Sequence, residues 1–235
     1  MRAATAAYTA VVFDMDGLLL DSERPTRDAW LQSAAALGAS LSESDYLDVV
    51  GLNHRDSNAR MLTLFGGDVR LMDAVRARAD AALAAGAPYA PKPGARRLLE
   101  VLRAAGVPCA VASSTHVDQV RVRLQRVGLL THFNAVCGGD EVQRGKPNPD
   151  LYLLALERLN ATPQNTLAFE DSGHGVRAAL AAGLATIAVP DLKAPDPEWL
   201  ARCLAVLPSL EAAYDRAGEW FGAKVGAGSG AVRAD

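Results

Sequence analysis

Along the chain, short unbroken apolar runs alternate with segments whose apolar residues recur every three to four positions. The runs are YTAVVFD (8–14), VPCAVASS (107–114), NAVCGGD (134–140), TLAFED (166–171) and ATIAVP (185–190), and each ends in polar or glycine-rich residues. Runs of this length predict strands, and the lack of apolar/polar alternation predicts burial on both faces. The stretches 94–105, 116–128, 149–160 and 172–182 carry helical spacing between them. Strand and helix in regular succession predict an α/β fold, a doubly wound parallel sheet covered on both sides. Ligands of such sheets bind beyond the carboxyl ends of the strands, where this chain places Asp14, Asp16, Ser113, Ser114, Glu170 and Asp171.

One insertion breaks the alternation. After the first strand some seventy residues pass before the next strand-helix unit, and they read as helical: from Pro25 with Trp30, Ala34 and Leu37 at helical spacing, then near 43–50, 54–65 and 68–85. DSER (21–24) and the glycine- and proline-punctuated GAPYAPKPG (86–94) read as the outgoing and returning linkers. The expected organisation is a core of residues 1–21 and 89–221, an inserted all-helical unit of 22–88, and a flexible glycine-rich tail of 222–235.

Composition narrows the function classes. The 235 residues are half hydrophobic, enough for a full core, and the net charge of −3 carries no basic footprint for nucleic acid. Cys109, Cys137 and Cys203 are odd in number and widely spaced in apolar surroundings, so they read as buried thiols in a reducing compartment. The N-terminus has no apolar signal core and no run is long enough to span a bilayer, which makes the cytoplasm the expectation and a membrane partner unexpected.

The chemistry lies at the strand ends. Asp14 and Asp16 follow a buried strand one residue apart, and like charges so placed repel and lose solvation unless something positive joins them. Asp14 is a candidate nucleophile toward phosphorus, and Asp16 a candidate acid/base that protonates the leaving oxygen and then deprotonates water. A D-x-D turn with aspartate caps is the open alternative. FEDSGHG (169–175) brings Glu170 and Asp171 to the same edge; an oxygen-only donor set beside phosphate chemistry points to Mg²⁺, with Asp171 and Asp14 as direct ligands and Glu170 on a bound water. Helix capping by Asp171-Ser172 stays open too. Ser113 and the backbone around Ser114 suit phosphate oxygens. Lys146, fixed in GKPNP (145–149) between glycine and proline, suits them as well, with Asn148 and Pro149 expected to start the next helix. The basic run RVRLQR (121–126) reads as a solvated helix face.

In order and spacing, DMDG, ASS, KPNPDLY and EDSGHGVRAALAAGLATIAV resemble the four motifs of the haloacid dehalogenase superfamily of phosphohydrolases, and the helical insertion resembles the cap of its beta-phosphoglucomutase-like branch. The resemblance implies Asp14 as nucleophile and Mg²⁺ ligand and Asp16 as acid/base whose backbone carbonyl also binds the metal. It further implies Ser113 and Lys146 on the phosphate, Glu170 and Asp171 at the metal, and a small phosphorylated metabolite as partner. VVGLNHRDS (49–57) resembles the cap segment that meets substrate, which makes His54 or Arg55 the expected contact. Where the mutases of the branch carry a histidine past the first motif, this chain has Thr26, so hydrolysis is expected over phosphoryl transfer. Mutase activity, or a binding protein without catalysis on the same fold, are the alternatives. Sugar phosphates are the favoured substrates.

Overall fold

In the computed structural model, which describes residues 8–50, 54–86, 89–222 and 225, the five expected strands are each trimmed from the ends of their apolar runs. They are β1 (Ala10–Phe13), β2 (Cys109–Ser113), β3 (Ala135–Gly138), β4 (Thr166–Glu170) and β5 (Ala185–Ala188). A two-residue strand, β6 (Ala205–Val206), completes a wholly parallel sheet in the order β3-β2-β1-β4-β5-β6. The chain therefore winds outward in both directions from β1, and β1 and β4 flank the point where the winding reverses.

Strand residues alternate between two buried faces. Val11 and Phe13 of β1 join one cluster with Leu98, Leu99 and Leu102 of α5 (Ala95–Ala104), Val120 and Leu124 of α6 (Val117–Arg126) and Trp220 of α10 (Leu210–Phe221). Val12 points the other way, into a cluster with Leu151, Tyr152 and Leu156 of α7 (Asp150–Leu159) and Ala178 and Ala179 of α8 (Gly173–Ala181). Burial on both faces is why these strands read as unbroken apolar runs. Phe13 stacks on Phe169 at 5.1 Å between centroids, and Phe169 meets Trp220 edge-on, so the two strands that carry acids at their ends share one aromatic spine.

The insertion forms α1 (Glu23–Ala36), α2 (Glu43–Leu47), α3 (His54–Leu64) and α4 (Val69–Ala85), packed on a cluster of their own that includes Ala34, Tyr46, Met61, Phe65, Met72 and Val75. Asp68 caps α4 by accepting from the Leu71 N–H, and Ser42 and Asp45 form a capping box on α2. The outgoing linker is shorter than expected: Glu23 and Arg24 already belong to α1, because Pro25 tolerates a first turn whose N–H groups need no helical partner. The two connections run side by side, with Asp21 N donating to the Ala90 carbonyl at 2.8 Å and Lys92 N to that of Leu19 at 2.9 Å. Asp191 fastens them by accepting from Arg24 at 2.7 Å and Lys92 at 2.6 Å.

Asn148 does not cap α7; it donates to the Gly145 carbonyl at 3.1 Å, and Pro149 stands at the helix start. A short helix, α9 (Pro197–Leu200), precedes β6; neither these two elements nor α10 was expected from the sequence, although Leu210, Ala213, Ala217 and Trp220 of α10 recur at helical spacing. The expected flexible tail lies outside the described residues apart from Gly222 and Val225. All three cysteines are free thiols, with Cys109 and Cys137 buried. No described helix is long and apolar enough to cross a membrane.

Candidate active site

Register brings the acids together. Phe13 pairs with Val111 on one side and Phe169 on the other, so Asp14, next along β1, emerges beside the ends of β2 and β4, and its N–H donates to the Phe169 carbonyl at 3.0 Å. A one-residue slip would turn Asp14 away and bury Phe13 on the wrong face. Past Asp14 the backbone turns sharply at Gly17, whose φ of +80° is left-handed. A Cβ there would also come within 2.3 Å of Asp171 Oδ2, so glycine is required both for the turn and for the approach of the β4 loop.

The result is a cavity of about 140 Å³ lined by Asp14, Asp16, Ser113, Ser114, Lys146 and Asp171 from the core, with Glu23 and Val50 reaching in from the insertion. Every core position singled out in the sequence lines it except Glu170, which lies beneath it, fully buried. Lys146 Nζ, buried as well, donates to Asp14 Oδ1 and Glu170 Oε1, both at 2.5 Å. Glu170 Oε1 also accepts from the Tyr152 hydroxyl at 2.7 Å, while Oε2 accepts from the Asp171 and Ser172 N–H groups at 3.1 and 3.3 Å. Glu170 thus ties Lys146, α7 and the β4 turn together. A side chain at Gly175 would overlap its carboxylate, so the first turn of α8 must be bare there. Capping of α8 falls to Ser172, whose Oγ accepts from Gly175 N at 3.1 Å, and Asp171 is left facing the cavity.

Burial pushes the Asp14 carboxyl well above the usual carboxylate range; Lys146 pulls it back, and the Glu170 and Asp16 charges push it up again. Asp171 is raised in the same way, by burial and then by Asp14 and Glu170. For Lys146, burial alone would lower the ammonium, but Asp14 and Glu170 outweigh it and hold it charged above its ordinary value. One ammonium is thus set against three buried carboxylates, and among the described residues Asp14, Glu170 and Asp171 can offer ligand oxygens within 4.8 Å of one another. Carboxylate-only donors short of positive charge fit a hard divalent cation such as Mg²⁺. Asp16 is turned to the opposite wall, where Oδ2 accepts from Thr115 Oγ1 at 2.9 Å and Ser113 Oγ at 3.3 Å and Oδ1 from Arg123 Nη1 at 2.9 Å.

Sequence reading missed this last set. Arg123, expected to be solvated, reaches Asp16; Thr115 was not singled out, although it directly follows Ser113-Ser114. The insertion also departs from expectation. The His54 side chain lies outside the described residues, and Arg55 is exposed, lining neither this cavity nor the larger one beside it. On the same helix Ser57, Asn58 and Met61 face inward instead, because the turn that starts α3 carries Arg55 to the outer face. They line a second cavity of about 340 Å³ with Trp30, Tyr46 and Arg76, and Glu23 and Val50 border both spaces. Arg76 donates to Asn58 Oδ1 at 2.8 Å and lies 5.9 Å from the centre of the Trp30 ring. Glu23, where the cavities meet, has its carboxyl pushed up to about 7 by burial, then by Asp16 and Asp191.

The family model of the haloacid dehalogenase-like hydrolases matches residues 8–183. A phosphorylated carbohydrates phosphatase of Thermotoga maritima is 33% identical over 183 residues, which span 76% of this chain and 83% of that protein. Among solved structures, CbbY from Rhodobacter sphaeroides in complex with xylulose-1,5-bisphosphate is 30% identical, with a TM-score of 0.70 over 87% of this chain and 95% of that one. A hydrolase of the same family from Deinococcus radiodurans, solved with phosphate and sodium, is 28% identical with a TM-score of 0.75 over 92% and 97%. The chain belongs to the haloacid dehalogenase-like hydrolases and is an enzyme of their phosphoric monoester hydrolase type.

Proposed function

We propose that this chain is a Mg²⁺-dependent phosphatase of sugar phosphates that works through an aspartyl phosphate on Asp14. The observation that carries the reading is the meeting of Asp14, Asp16, Ser113, Lys146 and Asp171 around one small cavity at the point where the sheet winding reverses. Asp14, Asp171 and the Asp16 backbone carbonyl would hold the metal, and Glu170, with both oxygens engaged, would steady that set. When bound, Mg²⁺ supplies the positive charge that three carboxylates and a phosphate dianion require.

The chain's own residues account for the rest. Ser113, the backbone about Ser114 and Lys146 hold the phosphate oxygens and place phosphorus against Asp14. As the Asp14 oxygen bonds to phosphorus, the bond to the leaving oxygen breaks, and Asp16 gives that oxygen its proton. Water then attacks phosphorus, its proton returns to Asp16, and cleavage of the aspartyl bond frees phosphate and Asp14.

The helical insertion, residues 22–88, is the cap in this reading, and its larger cavity takes the leaving group. Trp30 and Tyr46 offer flat apolar faces, while Ser57, Asn58 and Arg76 offer polar edges, a combination suited to a sugar. The activity named for the Thermotoga maritima relative and the xylulose-1,5-bisphosphate bound to the Rhodobacter sphaeroides one support the same class. Free thiols accord with a reducing cytoplasm.

Mutase chemistry is the second reading, and Thr26 weighs against it. Its Oγ1 donates to the Ser22 carbonyl at 2.7 Å, within its own helix, and a hydroxyl cannot carry the charge that a histidine could. The test is a phosphate-release screen over a panel of phosphorylated metabolites with and without Mg²⁺. Beta-glucose 1-phosphate with a trace of the 1,6-bisphosphate is run alongside. Release of phosphate from sugar phosphates only with Mg²⁺ is expected; rapid glucose 6-phosphate formation with negligible phosphate release would favour the mutase.

A further inference from the structure

Asp16 is held from a side that the phosphate cavity does not reach. Its two oxygens have different partners: Oδ2 accepts from Ser113 and Thr115, and Ser113 lines the cavity, whereas Oδ1 accepts from Arg123 Nη1 at 2.9 Å. Arg123, from the middle of α6, is absent from that cavity and lines a separate cleft of about 380 Å³. The cleft runs between α6, Tyr89 and the last turns of α4, where the core faces the insertion. Arg123 therefore backs the carboxylate rather than meeting the phosphate.

The guanidinium is itself fixed. It lies over the Tyr89 ring at 5.2 Å from the centroid, and Tyr89 stands in the returning linker next to Ala90, whose carbonyl accepts from Asp21 N. A planar guanidinium can lie against a ring and present a fixed fork of N–H groups to a carboxylate at once, which fixes the direction of the bond more closely than a rotating ammonium would. The side chains of Arg123 and Asp16 are 30% and 22% exposed, and pairs with that much access to water add little to stability. What such a pair sets is orientation.

We infer that Arg123 is the positioning residue for Asp16: by holding Oδ1 it turns Oδ2 to the phosphate cavity, and its cation–π contact with Tyr89 ties that aim to the linker that joins the insertion to the sheet. The inference rests on Asp16 as the acid/base. Oδ2 is then the atom that gives the proton to the leaving oxygen and takes one from water, while Oδ1 stays anchored.

The experiment measures Arg123→Met and Arg123→Lys on p-nitrophenyl phosphate and on the best alkyl phosphate from the metabolite panel, in the native and the Asp16→Ala backgrounds. An alkoxide needs its proton and a nitrophenolate does not. Arg123→Met should thus lower kcat/KM, which reads the formation of the aspartyl phosphate and not its hydrolysis, about tenfold or more on the alkyl ester and less than about threefold on the nitrophenyl ester. Arg123→Lys should recover part of the loss. In the Asp16→Ala background Arg123→Met should change neither rate by more than about twofold, as expected for a residue that acts through another. Equal losses on both esters, or the full loss repeated without Asp16, would overturn the inference. If Asp16→Ala itself slows both esters alike, the acid role of Asp16 falls first and this inference with it. Should Arg123→Met fold poorly by its thermal transition, Tyr89→Leu and Arg123→Lys decide, with the same ester selectivity at smaller size expected and its absence overturning the inference.

Discussion

The two cavities that meet at Glu23 are built on opposite plans. The smaller is walled by residues that leave the ends of parallel strands; Asp14 and Asp171 are buried there, and a single ammonium joins Asp14 to the underlying Glu170. The larger is walled by side chains from four helices, and its polar groups meet in half-buried pairs such as Arg76 with Asn58. A sheet edge holds groups to within fractions of an ångström because both neighbouring strands set the register. Helices packed on a small core of their own can shift together. A rigid edge therefore suits bond-making, while a separate helical unit lets the leaving group be chosen without disturbing it.

The largest effect should come from the nucleophile. Asp14→Asn should lower kcat by at least about three orders of magnitude, about 4 kcal/mol, in a protein that keeps its circular dichroism. Near-normal turnover would remove the smaller cavity from the chemistry altogether.

Next is the ammonium. Lys146→Ala leaves Asp14 and Glu170 buried without their partner, and breaking a pair of this kind costs about 3–5 kcal/mol. Urea unfolding in EDTA should show that loss. A change below about 1 kcal/mol would mean that the smaller cavity is no more tightly organised than the larger.

Glu23 probes the boundary through pH. Its carboxyl keeps its proton up to about 7 in the fold, against 4.5 ordinarily, so the ionised form is disfavoured by folding. The folded chain then binds more protons than the unfolded one between these values, and this group's contribution to stability falls as pH rises through that window. Glu23→Gln should cancel the fall. In metal-free buffer the variant should gain on the native protein by up to about 3 kcal/mol between pH 4.5 and 7.5. A constant difference across this range would show Glu23 to be solvated and the two cavities to be open to water where they meet.

Smallest is the effect expected in the larger cavity. Arg76→Ala and Trp30→Ala should each reduce kcat/KM on the preferred sugar phosphate by about tenfold, about 1.4 kcal/mol, with p-nitrophenyl phosphate little changed. Equal losses on both substrates would erase the division between chemistry and choice.

Legibility followed the same division. Asp14, Asp16, Ser113, Lys146 and Asp171 were readable because each stands at the end of a short apolar run or in a glycine-proline setting, and backbone direction alone carries such residues to one edge. Arg123 was not, because its neighbours on α6 give an ordinary basic face and only the placement of β1 beside β2 brings Asp16 within reach. In the insertion the helices were visible in their periodicity, yet the inward face was not: His54 or Arg55 was expected, the His54 side chain lies outside the described residues, and Ser57 and Asn58 line the cavity where Arg55 does not. A helix rotates its side chains by about 100° per residue, so an uncertainty of one or two positions in its start moves a residue from one face to another.

By itself, then, the order of apolar runs and helical segments determined the parallel sheet, the inserted helices and the identity of the acids at the edge, since strand direction and burial on two faces leave few other arrangements. Tertiary structure alone decided which atoms face which. Lys146 spans Asp14 and Glu170, Arg123 takes the outer oxygen of Asp16, and Trp30, Tyr46 and Arg76 converge from three helices. Those contacts join residues far apart in the chain, and such distances are closed by the packing of whole elements, which no local spacing records.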